Sequence, residues 1–170
     1  MLEHLPGVAA ADRQRLAMRY VERKAGAVAP TDACFLDEAQ RRRLVDGAIN
    51  LVNAPQLAPL FAPGAVAEAP VSGQLELPGR GLTPVLGQID RLALTDDTVW
   101  LADFKLATLA ETDAPPVAYV TQLALYGAVL QKIWPGRRVR PLLAYADGPR
   151  ILELSPEQCA AALPALALAR

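Results

Sequence analysis

The 170 residues, 52% apolar at a formal net charge of -1, suit one folded domain with a real core rather than a disordered segment. The near-neutral balance excludes a domain that grips nucleic acid unaided, because phosphate binding draws on a basic excess. No apolar run reaches the roughly 18 residues of a membrane span and no basic-then-apolar signal opens the chain, so the expected compartment is the cytoplasm.

In chain order, residues 8–25 read as a helix, with Leu16, Ala17 and Tyr20 on its apolar side. A second helix covers 36–52, with Asp37 and Glu38 at its start. Arg41, Arg42 and Arg43 form its charged face, read as solvated rather than phosphate-binding. Pro55, Pro59 and Pro63 then mark an irregular connector closed by Gly64. From there the period shortens to that of strands. Residues 66–71 form a first short strand, 78–81 a turn, and 84–94 a second strand. Asp96-Asp97 turns this strand into a third over 98–104. A loop rich in Ala, Thr and Pro precedes a strong helix over 116–133, stopped by Pro135-Gly136. Residues 139–146 and 150–154 complete the strands. Ser155, Pro156 and Gln158 open a last helix as cap, first position and capping-box partner. The expected class is α/β: one domain over 1–170, with a helical part at 1–60 and a core at 61–170 containing a mixed sheet of about five strands.

Chemistry gathers on two neighbouring strands. Alternation puts Asp103 and Lys105 on one face, with Phe104 opposite. If 98–104 pairs with 84–94, Asp90 comes close to Asp103. Two facing carboxylates repel, so a cation is expected between them. Mg²⁺ suits the gap, since it takes one or two carboxylates, keeps several waters and bridges to phosphate. Glu68 is a further acid upstream. On the long helix, Tyr119, Gln122 and Tyr126 share a stripe beside the apolar Leu123, Leu130 and Ile133. Two readings of that stripe stand: half-buried core aromatics, or hydrogen-bond donors to phosphate or to a metal-bound carboxylate.

Cys34 and Cys159 are too few and too far apart for an iron–sulfur cluster, and with His4 the sole imidazole a zinc site is not expected either. Both cysteines read as small buried apolar groups, and His4 as a surface residue.

Three words of the sequence carry a resemblance: Gly87-Gln88-Ile89-Asp90-Arg91-Leu92, Ala102-Asp103-Phe104-Lys105, and Tyr119-Val120-Thr121-Gln122-Leu123-Ala124-Leu125-Tyr126. In this order they resemble PD-(D/E)XK nucleases of the RecB type, closest to the nuclease domain of AddA-type helicase–nuclease subunits. The resemblance implies a restriction-endonuclease-like core and Mg²⁺- or Mn²⁺-dependent cleavage of DNA, single-stranded by expectation, in bacterial double-strand-break repair. It implies metal ligation by Asp90, Asp103 and the Phe104 backbone carbonyl, with Glu68 nearby. Lys105 would assist the water, and Gln122 and Tyr126 would line the DNA path. Helicase motor domains and an AddB-type subunit are the implied partners. The chain departs from the family pattern at Leu106, in place of threonine, and at Gly127, in place of a basic residue. The family's first-helix histidine would fall before Met1. Reduced activity is therefore expected, and a module that binds DNA or a partner subunit without useful turnover is the alternative reading.

Overall fold

A computed structural model of the chain describes residues 1–25, 36–107, 109–110, 112–147 and 150–165. Helices α1 (Ala10–Ala25) and α2 (Glu38–Asn53) lead into the connector. Asp37 accepts from the Gln40 N–H while Gln40 Oε1 accepts from the Asp37 N–H, each at 2.8 Å, a reciprocal cap that sets the start of α2 at Glu38 rather than at residue 36. Arg42 and Arg43 are exposed and Arg42 pairs with Glu38, as a solvated face requires. The connector holds more order than its prolines suggest. A 3-10 turn at Pro55–Leu57 passes into the short helix α3 (Ala58–Phe61), with Pro55 and Pro59 in first-turn positions where no amide is needed.

The strands β1 (Val66–Leu77), β2 (Gly81–Leu94) and β3 (Thr98–Lys105) form an antiparallel meander. β4 (Arg138–Tyr145) runs parallel to β3, and β5 (Arg150–Glu153) returns antiparallel at the edge. The sheet order is β1-β2-β3-β4-β5. The parallel β3/β4 pair needs a crossover, which α4 (Val117–Ile133) supplies. The helix α5 (Pro156–Ala165) closes the described chain behind the Ser155/Gln158 capping box read from the sequence. The architecture is α/β, a five-stranded mixed sheet flanked by helices with a helical segment at its N-terminal end.

β1 continues six residues beyond the expected strand. Ser72, Gly73 and Gln74 look like a break in sequence, yet Val71, Leu75 and Leu77 keep the period-two face buried. Gly73 is small because Val129 of α4 lies on it: a Cβ there would come within 2.7 Å of a Val129 methyl. Val129 thus packs on the sheet from the middle of α4. Ile133, the last residue of α4, is exposed.

Two cores flank the sheet. On one face, Ile89, Leu101, Leu143 and Tyr145 pack against Leu123, Val129 and Leu130 of α4. On the other, Ala102, Leu142 and Ala144 meet Leu51, Leu57 and Leu60 from α2 and the connector. Gly47 lets α2 approach the end of β4, where a Cβ would lie 2.9 Å from the Ala146 carbonyl carbon. Glycine in a helix interior costs about 1 kcal/mol against alanine, so this close approach outweighs a real local penalty.

Candidate active site

β3 and β4 end level with each other, Lys105 beside Tyr145 in register. Asp103 and Lys105 leave β3 on the α4 side. Lys105 Nζ lies 2.6 Å from Asp103 Oδ2 and 4.1 Å from the centroid of the Tyr119 ring. The two side chains are only 19% and 11% exposed, so this is a largely desolvated ion pair on an aromatic floor. Although the ammonium touches Asp103 Oδ2, that buried oxygen receives no hydrogen bond of good angle. Burial pushes the Asp103 carboxyl up, Lys105 pulls it down, and the charge of Asp90 adds a smaller upward push. Lys105 is thus the counter-charge of a buried acid.

Asp90 approaches the same point from β2. The β2/β3 ladder runs from Leu94–Val99 to Arg91–Ala102, and its next rung would set Asp90 against Asp103. There the Phe104 N–H donates to Asp90 Oδ2 at 2.7 Å. A carboxylate has taken the amide between Asp103 and Lys105, satisfying a backbone donor that the ladder does not pair. Asp90, Asp103 and Lys105 are thereby gathered around one residue, Phe104. The Phe104 ring points the other way and stacks on Phe61, centroids 6.0 Å apart.

Glu68 stands across β1 from Asp90, bracketed by the pairs Ala67–Arg91 and Ala69–Ile89. Its φ of 51° is left-handed, a strained conformation for a residue with a Cβ. Gln88 donates to its carbonyl at 3.2 Å. At this rung the hairpin changes face. Ala69, Val71, Val85 and Ile89 pack toward α4, whereas Ala67 and Arg91 turn to the N-terminal helices. Glu68, Asp90 and Phe104 border a cavity of about 470 Å³ between those helices and the sheet, with apolar walls from Leu2, Leu44 and Leu51.

Tyr126 lies over β2 at Gly87, and Gln122 Nε2 is 3.5 Å from its hydroxyl. Both side chains are half-buried on α4.

Three residues without an assigned role in the sequence reading belong to this region. Arg91 is 5% exposed; its Nη2 donates to the carbonyls of Leu2 at 2.8 Å and Glu3 at 3.2 Å, and its guanidinium lies over Phe61 at 5.3 Å. A cation inside an apolar strand was the signal for it. Tyr145 is 1% exposed, with a hydroxyl that has no partner. Burial pushes its phenol up, Tyr119 adds to this, and Lys105 and Arg150 pull it down. Arg150 donates to the carbonyls of Ala110 and Asp113, pinning the loop after β3 beside Tyr145. Only the strand register and the loop path bring these last two here, and neither is visible in sequence.

The donors are hard oxygens, the chemistry Mg²⁺ takes. Asp103 offers a buried oxygen with no directed hydrogen bond, and Asp90 keeps Oδ1 beyond its bond to Phe104, so two carboxylates and water suit such an ion. Among the described residues, no three His, Cys, Asp or Glu side chains converge as a ready metal cluster. His4 is exposed, Cys159 is half-buried with its thiol pushed up by burial, and Cys34 lies outside the described residues. Among the described residues, no helix is long and apolar enough to cross a membrane.

No family model and no curated protein matches the chain. Among solved structures, the crystal structure of SSO0001 resembles it with a TM-score of 0.41 at 13% identity, over 92% of this chain and 86% of that one.

Proposed function

We propose that the chain is a metal-dependent DNA nuclease module of the PD-(D/E)XK, RecB-like kind, which hydrolyses single strands delivered by helicase motor domains working with an AddB-type subunit in a bacterial cytoplasm. The observation that carries this reading is the gathering of Asp90, Asp103 and Lys105 around Phe104. Asp90 and Asp103, with Glu68 across the hairpin and the Phe104 carbonyl, are the groups that would hold Mg²⁺. When bound, the ion would lower the pKa of a coordinated water and offset the charge on the phosphate. Lys105 holds a positive charge over Tyr119 where it can orient the water or meet developing negative charge. Gln122 and Tyr126 offer an amide and a hydroxyl to the substrate backbone. The formal net charge of -1 agrees with a module whose substrate arrives at high effective concentration from a tethered motor.

A second reading is a nuclease-fold module that binds DNA or a partner subunit without turnover. The Lys105 ammonium seated on Asp103 favours it, together with the want of a three-acid cluster among the described residues.

One assay separates them. Labelled single-stranded DNA is incubated with the chain and Mg²⁺ or Mn²⁺, with EDTA and Lys105→Ala as controls and binding followed by anisotropy. Cleavage that stops with EDTA and is lost in a folded Lys105→Ala supports the nuclease reading. Binding without cleavage supports the second, and cleavage undiminished in Lys105→Ala rejects the proposed site.

A further inference from the structure

We propose that Lys105 is a built-in counter-cation occupying the metal's place on Asp103, and that Tyr145 receives its ammonium when a divalent ion takes that carboxylate. This rests on Asp90 and Asp103 being the metal seat.

Mg²⁺ binds carboxylate oxygens at about 2.0–2.1 Å and keeps a shell of water around itself. Lys105 Nζ, 2.6 Å from Asp103 Oδ2, stands where that shell would be. Two cations cannot share so short a span beside one buried carboxylate without strong repulsion, so the ion enters only as the ammonium leaves. The surroundings provide somewhere for it to go. Tyr119 attracts the cation through its ring face at 4.1 Å, a contact that tolerates sliding because it fixes no donor direction. Beyond it, Tyr145 is the register neighbour of Lys105 on β4. Its hydroxyl is fully buried and has no hydrogen-bond partner. Buried polar groups are rarely left so, and an ammonium carries three donors. The orphan hydroxyl and the neighbouring lysine are thus complementary, and they remain unjoined while Asp103 holds the lysine. In the vacated arrangement the metal would balance Asp90 and Asp103, and Lys105 would rest on Tyr119 with Tyr145 as acceptor. The lysine thus acts as a lock on the metal seat, keeping the acid pair from repelling before the ion arrives.

The test is calorimetric titration of Mn²⁺ into the wild-type chain, Lys105→Met, Tyr145→Phe, the double variant and Asp103→Asn, with folding checked by circular dichroism. Lys105→Met should bind about tenfold tighter or more, the scale of removing a close charge from a poorly solvated site. Tyr145→Phe should bind about threefold weaker or more, since the displaced ammonium loses its acceptor. In the Lys105→Met background the same Tyr145→Phe change should have no effect, which a merely structural role for the hydroxyl would not produce. Equal or weaker binding in Lys105→Met, with binding lost in Asp103→Asn, overturns the lock while leaving the metal seat standing. No binding in any variant removes the metal seat and the lock together. Should Lys105→Met fail to fold, Lys105→Gln replaces it, and wild-type affinity in Tyr145→Phe overturns the proposal by itself.

Discussion

Tyr126 lies across β2 directly on Gly87: a Cβ at residue 87 would fall 2.7 Å from the Tyr126 Cε1 and closer still to the hydroxyl. The glycine is the floor on which one of the proposed substrate contacts rests. Gly87→Ala should displace the Tyr126 ring and cost about 1–3 kcal/mol, the range for overfilling a packed site. Thermal unfolding measures this. Tyr126→Leu in the same chain should recover part of the loss, because it withdraws the ring that the new methyl meets. A Gly87→Ala chain as stable as wild type would mean that the ring is free to move aside at no cost.

Arg91 ties the segment before α1 to the sheet through the Leu2 and Glu3 carbonyls. Arg91→Met keeps much of the apolar stem and removes the donors together with the cation over Phe61. The expected loss is about 2 kcal/mol, the scale of hydrogen bonds from a charged group. Amide exchange at Leu5, buried beneath that segment, should quicken more than at Leu101 in the middle of the sheet. Uniform quickening at both would contradict a local anchoring role.

Asp103 gives a pH signature. Its carboxyl is pushed up mainly by burial, so the folded chain holds that proton more strongly than the unfolded chain does. Such a group adds stability below its unfolded pKa, and the contribution is lost as pH rises through its folded pKa. Asp103→Asn has no proton to lose there. The Tm difference between the two proteins should therefore move in favour of Asn as pH climbs through and above the ordinary carboxylate range. Parallel Tm curves would show that Lys105 fully offsets the cost of burying the charge.

The parts of this molecule written in local pattern were legible from the sequence. Period-two alternation assigned Asp103 and Lys105 to one face and Phe104 to the other, the Asp96-Asp97 turn marked the hairpin, and Ser155 with Gln158 marked the start of α5. What escaped depended on contacts between distant segments. The second half of β1 looked like a break because Gly73 is small for the sake of Val129, a residue more than fifty positions away. Arg91 was a charge in an apolar strand whose partners sit near the start of the chain. Tyr145 joins the site only because β4 runs parallel to β3 in one particular register.

The crossover between β3 and β4 carries a consequence for how the chain reaches this state. The meander β1–β3 closes through short turns, a low entropic cost that can be met early. The parallel pairing of β3 with β4 spans the whole of α4 and is the least local step in the sheet. Lys105 and Tyr145 meet at that step, and until then Asp103 stands on a hairpin open to water on the α4 side. This acid can therefore stay hydrated through the early stages of folding, and the cost of desolvating it falls due when α4 and β4 close over it.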